Sequence, residues 1–326
     1  MADRFGRLLL TAATAAVALA VGAGLAAGPA AAQQADRPLT IMTSLPNLAF
    51  PFFVHMQKEL DAEAESLGNI QLMRADGQGS TPKQTADVEA AIVQGVDGII
   101  ISPNEVDAMA PALEQAVEAG IPVVTIDRRV EGVDGILAHV GANNVEGGEA
   151  QGRLIMELFP DGARVFNLQG QPGASPAIDR NAGVHNVLDG HADEYPFVFE
   201  QTAQFARDRG LSVTEAGLAG LGEPPDVIVA ANDDMALGAL EAVRAQGQEI
   251  PIIGFDALPE ALASVRDGGL AATIEQFPGE QSRTALRLLV DHLREGKEPE
   301  ESVVLLTPIA ITKDNIEKAE RLGELN

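Results

Sequence analysis

Short strands that are apolar on both faces constrain this chain more than any other feature. Gly98-Ile99-Ile100-Ile101 has no polar side chain, so it cannot alternate between a wet and a dry face. Such a strand must be covered on both sides, as in a parallel sheet lying between helices. The surrounding sequence agrees. Leu39–Thr43, Ile70–Ala75 and Pro122–Ile126 read as further strands, separated by helical stretches at Phe52–Leu67, Pro82–Gln94 and Val106–Ala119. A second series has strands at Arg164–Asn167, Phe197–Gln201, Val227–Ala230, Pro251–Gly254 and Ala271–Ile274. Its helices are Val145–Leu158, Ala177–Leu188, Met235–Gln246 and Gln281–Glu295. Two runs of β–α units predict an α/β chain of two doubly wound lobes with parallel sheets.

The 326 residues suffice for two such lobes. With 22 basic and 48 acidic residues the formal charge is −26, which repels phosphate backbones and anionic lipid surfaces and argues against nucleic-acid binding. No cysteine is present, so disulfides, thiolate metal sites, cysteine nucleophiles and a lipid-modified N-terminus are all excluded. Arg4 and Arg7 precede an uncharged run from Leu8 to about Leu25, and then small residues up to Ala32-Gln33. That order predicts a signal peptide over 1–32, cleaved after Ala32, with release to the periplasm and no membrane insertion afterwards.

In open parallel sheets, ligands bind beyond the carboxyl ends of the strands. Those positions carry Ser102-Pro103-Asn104, Asp127-Arg128-Arg129, Asn232-Asp233-Asp234, Asp256 and Gln276. Nearly every strand end thus offers a planar group able to make several hydrogen bonds. A sugar ring needs that mixture for its hydroxyls, and aromatic rings for its C–H faces. Phe50, Phe52, Phe53 and Phe205 can supply the rings. Each residue also has a plainer role: Asn232 can be a helix N-cap, Asp127-Arg128 a surface ion pair and the phenylalanines core.

No enzyme signature competes. The turn after the first strand, Ser44-Leu45-Pro46-Asn47, lacks the glycines of a dinucleotide site. No phosphate-binding loop or Gly-x-Ser-x-Gly elbow occurs, and the five histidines are scattered without metal-ligand spacing. No cofactor or metal is expected.

In order, Pro51-Phe52-Phe53-Val54, Ile121–Arg128, Asn143–Gly148, Leu168-Gln169-Gly170, Ala231–Leu240, Gly254-Phe255-Asp256 and Ala272–Gln276 resemble the ribose-type periplasmic sugar-binding proteins. These are the capture components of ABC importers. The resemblance implies a type I periplasmic binding protein fold with three hinge crossovers, near Ala142, near Gln276 and around Thr307–Ile311. The lobes would be 38–141 plus 277–308, and 142–276 plus 309–326. It implies ligand contacts from Phe52, Phe53 and Phe205, from Asp127, Arg128 and Arg180, and from Asn232, Asp256 and Gln276. The partners it implies are a small sugar or polyol and a membrane permease, served by a monomer. A chemoreceptor or sensor kinase is the alternative client, and a non-sugar molecule the alternative ligand. Two positions depart from the ribose pattern. Phe50 and Ser102 each stand where the family carries an asparagine, so a ligand other than ribose is expected.

Overall fold

The computed structural model describes residues 37–325. The signal peptide expected over 1–32, with its cleavage point after Ala32, lies outside the described residues. Among these residues no helix is long and apolar enough to cross a membrane.

The first half builds a six-stranded parallel sheet from β1 (Leu39–Leu45), β2 (Ile70–Asp76), β3 (Gly98–Ile101), β4 (Val123–Ile126) and β5 (Ala138–Ala142). The sixth strand, β11 (Val303–Leu306), returns from far down the chain to pair with β5, giving the order β11-β5-β4-β3-β1-β2. Its helices are α1 (Pro51–Leu67), α2 (Thr81–Gln94), α3 (Ala110–Glu118) and the late α9 (Pro278–Glu295). β3 and β4 are buried at every position, as apolarity on both faces requires. α9 packs along α1, where Arg287 Nε meets Glu63 at 2.7 Å and Arg283 pairs with Glu59.

The second sheet, also parallel, has the order β7-β6-β8-β9, from β6 (Val165–Gln169), β7 (Phe197–Thr202), β8 (Val227–Ala230) and β9 (Ile252–Ile253). Around it lie α4 (Asn144–Leu158), α5 (Ser175–Leu188), α6 (Arg207–Gly220), α7 (Asp233–Ala245) and α8 (Pro259–Arg266). β10 (Thr273–Glu275) and β12 (Ile309–Ile311) form a separate antiparallel pair, the strand direction reversed by the returning chain. The chain therefore leaves the first sheet after β5, returns through β10 to α9, and leaves again between β11 and β12.

Five elements depart from the sequence reading. α3 begins at Ala110, not Val106, because Val106 N–H donates to Gly173 O of the other lobe (2.9 Å), and residues 104–109 turn to make that contact. β5 and β11 were not expected. β5 contains His139 and Gly141, and β11 is an edge strand whose alternate residues Val303 and Leu305 are exposed. α6 and α8 were not expected either. Three glycines in Arg207–Gly220 blur the helical period, and its helix is secured by packing on α7.

One glycine lets helices meet at backbone distance. A Cβ on Gly148 of α4 would stand 2.1 Å from Arg180 O of α5. That approach fixes the turn of α5 that carries Arg180. Gly148→Ala should force α4 and α5 apart and cost about 1–3 kcal/mol, the usual range for overpacking. Urea unfolding measures this, and an unchanged midpoint would mean the helix pair yields freely.

Candidate functional site

Between the two sheets, at the carboxyl ends of their strands, lies a small cavity. Its walls are Phe50, Phe52, Phe53, Asp127 and Arg128 from the first lobe, and Pro176, Arg180, Phe205, Asn232, Asp256 and Gln276 from the second lobe and the crossing after β10. Ten of the eleven residues singled out in the sequence converge here. Ser102 is the exception: it is fully buried behind the wall, its hydroxyl donating to Asp127 Oδ2 at 3.2 Å.

α1 delivers the first aromatic pair from its opening turn. Phe52 and Phe53 meet edge to face, their ring centroids 5.2 Å apart. Phe205 faces them from the other lobe and lies over Gly170, where a Cβ would come within 2.3 Å of its ring. The Arg128 guanidinium lies near both rings, its Cζ 5.4 Å from the Phe53 centroid and 5.8 Å from that of Phe205. Arg180 lies over Phe255 at 3.7 Å. Both contacts favour a cation over an aromatic face.

The charges are buried and each is held. Arg180 donates from Nε to Asn144 Oδ1 (2.8 Å), and from Nη1 to Ala231 O (2.7 Å) and Asp256 Oδ1 (3.3 Å). Gln276 Nε2 donates to the same Asp256 oxygen at 2.6 Å. Arg128 Nη1 donates to Asn104 O at 2.9 Å. Asp127 and Arg128 are not a surface ion pair: both are buried, and Arg128 Nε stands 3.9 Å from Asp127 Oδ2, too far for a hydrogen bond. Asn232 is in fact the N-cap of α7, its Oδ1 accepting from Met235 N–H, while its amide also donates to Phe205 O at 3.1 Å. The plainer role and the lining role coexist in one side chain.

Asp127, Phe205 and Asp256 have φ of 57°, 60° and 111°. Non-glycine residues held there carry strain that the surroundings must hold in place, a pattern common at binding sites. Around Asp256 the restraint is visible. Buried Asp233 accepts from Leu258 N–H (2.8 Å) and from the Thr273 hydroxyl (2.8 Å), and Thr273 in turn accepts from Ala257 N–H.

Burial pushes the Asp256 carboxyl up to about 7, against the pull of Arg180, and raises Asp127 against Arg128. Burial also lowers Arg128 to about 10, where it remains a cation at neutral pH. With both carboxylates ionised the wall carries two negative and two positive groups and no net charge. Two buried polar atoms of the wall have no hydrogen-bond partner among the described residues: Arg128 Nε, a donor, and Gln276 Oε1, an acceptor. A donor and an acceptor left over in an aromatic-walled cavity suit a molecule bearing hydroxyls.

Sequence reasoning assigned no site role to Pro176, which lines the wall, or to Phe255, which supports it; Asn104 and Asp233 stand among the strand-end residues it offered, and they support the wall from behind. Phe255 and Asp233 stand in stretches that the reading quoted, next to Asp256 and Asn232. Only the fold shows that one underlies Arg180 and the other braces the strained turn.

The family described as periplasmic binding protein domain matches residues 41–298. A ribose import binding protein of Bacillus subtilis is 39% identical over 269 residues, covering 82% of this chain and 85% of its own. Among solved structures, a Caulobacter myo-inositol binding protein bound to myo-inositol is 43% identical with a TM-score of 0.85, covering 88% of this chain and 97% of its own. An ABC transporter solute-binding protein from Bacillus halodurans with bound myo-inositol is 29% identical with a TM-score of 0.81, covering 86% and 97%.

Between its ordinary value of 3.8 and about 7, the folded Asp256 keeps a proton that the unfolded chain has released. Stability should therefore fall as pH rises through that window. Glu275, also pushed up to about 7 by burial, acts in the same direction. Asp256→Asn should flatten part of the decline between pH 5 and 8 in urea unfolding. A slope as steep as the parent's would remove Asp256 as its source.

Proposed function

This chain belongs to the periplasmic binding protein domain family, and from that premise we propose that it captures a neutral cyclic polyol, with myo-inositol the leading candidate, and delivers it to the permease of an ABC importer. The observation that carries the proposal is a pair of buried atoms without a hydrogen-bond partner among the described residues, Arg128 Nε and Gln276 Oε1, on residues that line the same cavity from different lobes. An uncharged ligand with hydroxyls around its ring supplies an acceptor to one and a donor to the other. Its C–H faces pack against Phe53 and Phe205.

Two features favour a ring without a ribose pattern of contacts. Phe50 lines the cavity where the resembled family has an amide, and Ser102 spends its hydroxyl on Asp127. The structural likeness to two proteins holding myo-inositol points the same way. No chemistry on the ligand is part of the proposal, and the chain is proposed to act as a single copy.

Capture is by closure. Most of the wall is buried, so a ligand reaches it only when the lobes separate. The rotation is absorbed at three crossings: after Ala142, at Gln276-Phe277, and between β11 and β12. These correspond to lobes of 38–141 plus 277–308 and 142–276 plus 309–326. Export follows from the family, and release after Ala32 would leave the chain free in the periplasm.

Isothermal titration calorimetry of residues 33–326 against myo-inositol, D-ribose and xylitol tests the ligand. myo-Inositol should bind at least about tenfold tighter than D-ribose, a difference of about 1.4 kcal/mol. D-ribose binding tightest would restore the pentose, and no heat with any of the three would sink the polyol reading. Asp127→Asn keeps a side chain tolerant of the left-handed backbone but removes the charge, and should weaken binding by about 1–2 kcal/mol.

A further inference from the structure

Beside the cavity, on one lip, the lobes touch through residues that do not line it. Arg129 follows Asp127 and Arg128 in sequence but turns outward. Its backbone N–H donates to Ser175 Oγ at 3.0 Å, and its guanidinium makes two bonds to the Asp179 carboxylate, one of them 3.2 Å. Ser175 and Asp179 are four residues apart on α5, so both present to the same side. Glu131, on the arginine's own loop, accepts from Arg129 Nε at 3.1 Å and steadies it. Two more bonds span the lip: Val106 N–H to Gly173 O at 2.9 Å, and Gln171 Nε2 to Asn104 O at 3.2 Å.

We propose that this lip is a latch: Arg129 and Asp179, aided by Ser175 and Gln171, hold the lobes together directly and so set ligand affinity without touching the ligand. The inference rests on the closing-lobe reading above. A site completed only when the lobes meet has an affinity scaled by the closed fraction. Bonds that exist only in the closed form raise that fraction equally for every ligand. Gln171 adds a link to the site, since Arg128 Nη1 donates to its Oε1 at 3.4 Å; the ligand-facing guanidinium gains this partner only on closure. These are positioning residues.

The charge pair gives the latch a signature. Arg129 and Asp179 have side chains 33% and 18% exposed, so salt screens their attraction. Affinity for an uncharged polyol should therefore fall as ionic strength rises, which contacts between ligand and cavity alone would not produce.

Calorimetry with myo-inositol and D-ribose at low and high salt, on the parent, Asp179→Asn, Arg129→Gln and the double variant, provides the test. Each single variant should weaken both ligands by the same factor, about two- to fivefold. Each should also lose the salt dependence, and the double should be no weaker than the worse single. Unchanged affinity, or a loss that differs between the two ligands, would overturn the latch. Spin-label distances between Val93→Cys and Glu223→Cys, one exposed site on each lobe, need no ligand. Asp179→Asn should shift them toward the longer, open separation, and a distribution that does not move also overturns the latch. A parent that binds neither ligand, with the distances still shifting in Asp179→Asn, would overturn the polyol reading and keep the latch.

Discussion

Arg180 is the interaction on which the second lobe's side of the site depends. Its guanidinium is buried, lies over Phe255, and bonds Asn144, the Ala231 carbonyl and Asp256. Those partners begin α4, follow β8 and follow β9, so one side chain gathers three loops at the end of a sheet. A buried cation is tolerable only when paired in this way. Asp256 in turn takes a strained backbone, braced by Asp233 and Thr273 from behind. Removing the arginine would leave Asp256 buried with one opposing charge fewer, at a site where burial already opposes its ionisation.

The first lobe solves the same problem differently. Arg128 is held by a carbonyl, Asn104 O, and by two aromatic rings rather than by a close carboxylate, and Asp127 is satisfied in part by Ser102. This arrangement leaves Arg128 Nε without a partner, as Gln276 Oε1 is on the far wall. Two half-sites, each incomplete in hydrogen bonding, thus face one another. On the proposed reading, a molecule that completes both would draw the lobes together, and the polar contacts of the lip would add a contribution that does not depend on what is bound.

Much of this was legible in the chain. Gly98–Ile101 and Val227–Ala230 are strands with the bounds the sequence suggested, because an apolar run on both faces has no other stable placement in a soluble domain. Part of the candidate wall was legible for a related reason: Asp127, Arg128, Asn232, Asp256 and Gln276 follow strands, whereas Arg180 lies within a helix and was named only through the resemblance. What escaped were elements whose signal is set elsewhere. β5 contains His139 and Gly141 and becomes a strand because β4 and β11 flank it. The glycines of α6 make sense only against their neighbours; the Phe166 ring occupies the place of a Gly217 side chain.

By itself, then, the sequence determined the fold class, the two-lobed plan, the family resemblance and the set of residues that could meet a sugar. Periodicity and the polarity of strand ends are local properties, and they survive whatever the chain does later. Only the tertiary structure decided that Ser102 stands behind the wall, that Asn232 caps a helix as well as lining the cavity, and that Arg129 turns away from its two neighbours to grip the other lobe. Each of those outcomes depends on which group from a distant segment arrives within hydrogen-bonding distance. Asp179 lies 50 residues from Arg129, and no local pattern encodes that encounter.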